Sequence, residues 1–268
     1  MIVSDNDQCD EGRQLPAGLP AEAVLRRLLL PCGEELLLVA MPQEHDGDGQ
    51  PPHGTPLLAE AATAWVAAAT PAATVISVPL YGCHVVWAPG RAAVIGAPSR
   101  LEALATAVTD FADREADLRH LEQRCAELLE SLDRDAPHAF AVDERTFDQR
   151  DALAARFREA VAVRGRLARA APAVHAPPVH PPTLASQLGE RLRDRTRLAE
   201  RHEFAVDRAE LAERLYEACG QRAAEFGIAR RQQGLEWAIV VLLVIQTALL
   251  IVDLLARVDL LTGGPPLP

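Results

Sequence analysis

Sixteen consecutive residues near the C-terminus, Trp237–Val252 (WAIVVLLVIQTALLIV), carry no ionisable side chain. As a helix this run is about 24 Å long at 1.5 Å per residue, a little short of a hydrocarbon core of about 30 Å. Leu254, Leu255 and Ala256 extend it past Asp253 to about 20 positions, the usual spanning length. Asp253 then lies near one end, where an ionised carboxylate reaches headgroups or water. A buried core helix is the bland alternative, and the length of the run argues against it. The sequence predicts a single transmembrane helix, so the lipid bilayer is the first expected partner.

Orientation follows from arginine. Arg222, Arg230 and Arg231 precede the run and Arg257 follows it, so the positive-inside rule places the N-terminal part in the cytoplasm. The start, MIVSDNDQCDEGRQLP, is acidic and has neither a basic segment nor an apolar one behind it, which is not the pattern of a secretory signal. The expectation is a tail-anchored, single-pass protein of the cytoplasmic (inner) membrane.

Charge removes several function classes. The formal net charge is -11, whereas nucleic acid binding needs clustered positive charge. No nucleic acid partner is expected, and electrostatic adhesion to anionic lipid is disfavoured too. The chain has no lysine, which excludes Schiff-base chemistry and a P-loop. Cys9, Cys32, Cys83, Cys125 and Cys219 are scattered and odd in number. They suggest neither a zinc ribbon nor a disulfide framework and fit a reducing compartment.

The expected fold class is α+β, with a small N-terminal α/β domain, long antiparallel helices and the membrane helix. Residues 1–20 read as a flexible lead and 21–97 as the α/β domain. Within it, Ala21–Leu30 suits a short helix ending at Pro31, and Glu35–Met41 a buried strand. Residues 42–56 form a loop by composition. Its Asp46 and Asp48 resemble the start of a calcium loop, but no suitably spaced glutamate follows. Pro56–Ala69 suits a helix, and Thr74–Val78, His84–Trp87 and Ala92–Ile95 read as strands. Tyr81-Gly82 and Pro89-Gly90 are the turns between them.

Residues 98–171 read as a helical pair. Ser99 is the expected N-cap, with Glu102 completing a capping box. Leu101, Leu104, Val108, Phe111, Leu118, Leu121, Cys125, Leu128 and Leu132 recur every three or four positions as an apolar seam. Glu115 interrupts it, as a polar contact or an exposed turn. A second helix, capped by Asp143 and containing Phe147, Leu153, Phe157, Val161 and Leu167, packs antiparallel on the first. The run 172–183 reads as a proline-stiffened linker, and its His175 and His180 lack the company a metal site needs.

From about Thr183 one helix is expected to run on, as a juxtamembrane segment over 184–234 and a span over 235–256. A short tail, 257–268, ends it. Gly220, Gly227 and Gly234 stand seven residues apart. Each costs about 1 kcal/mol against alanine inside a helix, so close packing of another helix is the expected return. Glu236, Ile239, Leu243, Gln246, Leu250, Asp253 and Arg257 share a stripe at helical spacing. Gln246 sits near mid-membrane, where its amide is best satisfied by a neighbouring helix. Helix association through Gln246 is expected, with Gly220, Gly227 and Gly234 lengthening the same contact. The partner is a second copy, giving a homo-oligomer, or another membrane protein.

Two stretches carry a family resemblance. Tyr81-Gly82-Cys83-His84-Val85-Val86-Trp87, and Leu215-Tyr216 followed by Leu235-Glu236-Trp237 and the apolar run, resemble the Required-for-Meiotic-nuclear-Division family of membrane-anchored proteins. That resemblance implies an N-terminal α/β region, long helices, one C-terminal membrane helix and oligomeric assembly. Eukaryotic members are mitochondrial inner-membrane proteins linked to organelle translation.

No dinucleotide fingerprint, P-loop, nucleophile elbow or zinc-protease motif occurs. Cys83 and His84 are adjacent in a strand and so point to opposite faces. No catalytic residue, cofactor or metal is expected. The function expected is a membrane-anchored scaffold or interaction protein. The alternatives are a subunit of an ion channel or transporter, or an enzyme with an unrecognised site in the α/β domain.

Overall fold

The computed structural model describes residues 19–43, 55–68, 73–140 and 148–262, with side chains through Val252. The loop aspartates Asp46 and Asp48, the cap Asp143, Phe147, the lead and the tail lie outside the described residues, as do the side chains of Asp253 and Arg257. Two compact units are formed, one from residues 1–129 with 160–210 and the other from 130–159 with 211–268.

The first unit holds a five-stranded mixed sheet of order β1-β2-β5-β4-β3. Its strands are β1 Val24–Leu29, β2 Glu35–Pro42, β3 Ile76–Leu80, β4 Cys83–Ala88 and β5 Arg91–Gly96. β2 and β5 pair in parallel and the other neighbours antiparallel. The central strands are buried on both faces, as near-continuous runs such as LLLVAM and AAVIG require. Helix α1, Thr55–Ala67, covers one face by setting Ala62 and Val66 against Val39, Met41, Val86 and Ile95. Helix α2, Pro98–Asp135, covers the other, where Phe111 meets Trp87 edge-on at 5.0 Å.

Three expectations are corrected here. Ala21–Leu30 is not a helix; its core is β1, paired to β2 from Val24↔Ala40 to Leu29↔Glu35. Leucine, arginine and alanine favour helix locally, but the buried strand β2 needs a partner on its free side, and tertiary pairing wins. The third strand lies two residues later than expected, because Pro79 sits inside an edge strand, where a missing amide is tolerated. Ser99 does not cap α2. The helix begins at Pro98, whose fixed φ suits the first helical position, and Glu102 binds Arg26 at 2.9 Å.

The seam of α2 is buried as expected at Leu104, Val108, Phe111, Leu118, Leu121, Cys125 and Leu128. Helix α3 is the short turn Pro137–Phe140, and α4 is Arg150–Val174. α4 runs antiparallel to α2: Asp117 bonds Arg166 at 2.6 Å, while Asp113 shares a recess with Ala173 and Val174. Pro172 lies within α4, so the helix persists slightly beyond the expected break.

The single helix expected from Thr183 onward is two helices. α5, Leu184–Arg195, opens with a capping box in which Thr183 and Ser186 bond each other's backbone amides. It stops at Thr196, and Arg197 has a left-handed φ of 51°. α6 then runs without a break from Leu198 to Thr262. Its first turns also pack on α2, since Arg201 reaches Glu122 and the Cys125 thiol points at the Ala205 carbonyl. The seam of α2 is thus covered by α4 and α6 together.

Candidate association surface

In the second unit the start of α6's polar-to-apolar stretch is fixed by a buried cluster. Asp135, 6% exposed, accepts the Tyr216 hydroxyl at 3.1 Å and pairs with Arg156. Ser131 meets the same hydroxyl at 3.1 Å. Cys219 is fully buried beside the Asp135 carbonyl, and burial pushes its thiol pKa up, so it stays protonated and inert. Tyr216, with less than 2% exposure, is the largest fully buried side chain described.

Beyond this cluster the helix is bare. Every residue from Arg230 to Val252 is exposed within the chain. The apolar segment has a mean hydropathy of 2.5 in its richest window and none of that window is buried. Among the described residues one helix is therefore long and apolar enough to be a candidate membrane span. Gln246 makes no side-chain hydrogen bond among the described residues, whereas Thr247 satisfies itself on the Leu243 carbonyl at 2.8 Å. A Cβ added at Gly220 or Gly234 would meet nothing within 4 Å. Gly227 is partly exposed.

The unbroken helix separates two features that sequence reasoning had joined. Gln246 follows Gly234 by twelve positions, which at about 100° per residue is three turns plus about 120°. Ile239, Leu243 and Leu250 fall about 140–180° from Gly234 on the same count. The glycine column and the Gln246 stripe therefore occupy different faces of α6.

The first unit holds the remaining polar chemistry. Glu115, which interrupts the α2 seam, is a polar contact: its side chain is 4% exposed and lies between Arg119 at 3.0 Å and Arg201 at 3.2 Å. Arg201 also forks onto Glu122 at 2.6 and 2.9 Å, and this bond leads the causes that raise its pKa. Glu34 completes the chain by taking Arg119 at 3.1 Å and His120 at 2.9 Å. His202, 3% exposed, donates its Nε2 proton to the Leu167 carbonyl at 2.9 Å. Its Nδ1 then serves as acceptor for His175 Nε2 at 3.3 Å. His175 is thus a helix fastener, while His180 stays exposed in the linker.

Cys83 and His84 do point apart. Cys83 Sγ would lie 2.8 Å from any Cβ at position 96, so Gly96 is required there. His84 Nε2 instead faces the Ser77 hydroxyl at 2.8 Å, and no carboxylate among the described residues orients its other nitrogen. Cys32 is half-buried in a recess of about 450 Å³ beside Asp113 and Arg166, and burial raises its thiol pKa. Among the described residues no three His, Cys, Asp or Glu side chains are placed to hold a metal. No family model, curated protein or solved structure matches the chain.

Proposed function

We propose that this chain is a membrane-anchored interaction protein. The apolar end of α6 spans the bilayer, the α/β unit lies on the cytoplasmic side of the inner membrane, and copies associate through the Gln246 stripe. The observation that carries this reading is the exposed apolar run of α6. Thirteen large apolar side chains between Leu235 and Val252 are about half exposed or more. At roughly 1.5–3 kcal/mol per buried side chain, covering them is worth on the order of 20 kcal/mol. Soluble monomers rarely expose so continuous an apolar surface. That Gln246 makes no side-chain hydrogen bond among the described residues supports a second helix as its partner. The Required-for-Meiotic-nuclear-Division resemblance implies the same anchored, oligomeric organisation.

The test is fractionation. Full-length protein is expected to stay in the membrane pellet through high-salt and alkaline washes, and a truncation ending at Ile228 to be soluble. Release of the full-length chain by alkali refutes the span. Orientation is read by impermeant thiol labelling of a cysteine placed at Thr262 against one placed at exposed Ala229. Native Cys125 is too deeply buried to report either side.

A further inference from the structure

The β3–β4 hairpin turns through Tyr81-Gly82, with φ of 44° and 76°. Positive φ at both central residues is the signature of a type I′ turn, whose first position favours asparagine, aspartate or glycine. Tyrosine there is a strained choice. The Arg100 guanidinium holds the turn by donating to the Tyr81 carbonyl at 2.9 Å, yet the side chain is left 66% exposed. A bulky aromatic at a position that disfavours it, aimed away from its own core, is a pointer to contact outside the chain.

A receptor of matching chemistry lies in the same unit. A recess of about 510 Å³ is bounded by α2, the proline linker and α5. Phe111, Pro177, Pro178 and Val179 give it apolar walls, and Arg114 and Arg193 line it without any ion-pair partner among the described residues. An aromatic ring packs on prolines and phenylalanine and draws a guanidinium over its face. The hairpin and the recess are also neighbours in the chain. Arg100 precedes the recess residue Ala103 by one turn of α2. Arg191, between the recess residues Glu190 and Arg193, donates to the Pro79 carbonyl at 2.8 Å.

We propose that Tyr81 of one copy inserts into the recess between α2, the linker and α5 of a second copy. Because hairpin and recess adjoin, a two-fold axis lets both insertions form at once, the self-complementary arrangement of an isologous dimer. This rests on the oligomeric part of the function proposed above but uses a separate surface from the membrane helix.

The experiment uses the full-length protein in nanodiscs in a Gln246→Leu background, which removes the proposed membrane contact. A photoreactive phenylalanine analogue replaces Tyr81 in one tagged copy, mixed with a second copy carrying another tag. The expected product is an intermolecular adduct mapping to residues 103–114 or 185–193. Gly189→Phe is expected to abolish it by filling the recess. A Cβ at position 189 meets only the tip of Arg193 at 4.0 Å, and an unchanged circular dichroism spectrum checks that the variant keeps the fold. Tyr81→Asn is expected to raise the melting temperature while cutting the dimer fraction at least fivefold, a split that a purely structural tyrosine cannot give. Adducts confined within one chain, adducts mapping elsewhere, or a dimer fraction unchanged by Tyr81→Asn overturn the proposal. Alkaline release with the adduct intact would refute the anchor alone.

Discussion

Arg201 is the residue through which α6 ties into the ion-pair chain of α2. Its guanidinium makes two bonds to Glu122 and one to Glu115, whose side chain is 4% exposed. Around it, Glu34, Glu115 and Glu122 face Arg119, Arg201 and His120 in alternating order. Arg201→Met leaves Glu122 unpaired and makes Glu115 depend on Arg119, which Glu34 already engages. Removing one partner of a buried ion pair costs about 3–5 kcal/mol. Glu122 and Arg201 are each 29% exposed, so the lower end, about 3 kcal/mol, is the working figure. That corresponds to a fall in melting temperature of about 6–12 °C for a chain of this size. Glu115→Gln leaves each arginine a carboxylate, so about 1–2 kcal/mol is expected. Adding it to Arg201→Met costs less than the sum, because the Arg201–Glu115 bond can be lost only once. Arg201 has its pKa raised in the fold, first by the Glu122 bond. Its stabilisation is therefore complete below its ordinary value and lost only in strong alkali. Circular dichroism melts of the detergent-solubilised chain at pH 8 measure the losses. A melting temperature within 2 °C of wild type at pH 8 refutes the reasoning.

Two further outcomes are expected. Burial lowers the His84 pKa below its ordinary value, so the unfolded chain binds a proton that the fold resists. Stability then falls as pH drops through about 6.5, and His84→Gln should flatten that slope in urea titrations at pH 7.5 and 5.5; an unchanged slope refutes the assignment. For the isolated segment 215–260 in detergent, Gln246→Leu should lower cross-linking without changing membrane recovery of the full chain. Gly234→Leu should leave that cross-linking intact, since it lies on another face; equal losses from both variants would show a single seam.

What could be read from the sequence was whatever local pattern decides. The α2 seam, the turns at Tyr81-Gly82 and Pro89-Gly90, β2, β4 and β5 follow from periodicity and turn chemistry, and the structure keeps them. What was not legible depends on distant partners. β1 is a strand because β2 lies beside it, although VLRRLL itself favours helix. Asp135 gave no signal, because its importance comes from Tyr216 and Arg156, about 80 and 20 positions away in the chain. The break at Thr196-Arg197 was hidden too, since neither residue is a glycine or proline. Arg197 carries the positive φ that usually announces itself as glycine.

The association surface shows the same division at one further level. Glycine spacing and a lone mid-membrane glutamine are each visible as letters, and each suggests a neighbouring helix. Whether they share that neighbour depends on phase, and phase is preserved only while the helix is unbroken. α6 has no proline between Leu198 and Thr262, and its three glycines do not interrupt it. The offset of about 120° between Gly234 and Gln246 is therefore real geometry rather than a property of a wheel drawn on a broken helix. A straight two-helix dimer can use one of these faces only. If both are occupied, each α6 has two neighbours, and the assembly contains at least three helices or a second kind of chain. Analytical ultracentrifugation of the 215–260 segment separates these cases. A monomer–dimer equilibrium, abolished by Gln246→Leu and indifferent to Gly234→Leu, assigns the copy-to-copy contact to the stripe and leaves the glycine face for a different partner.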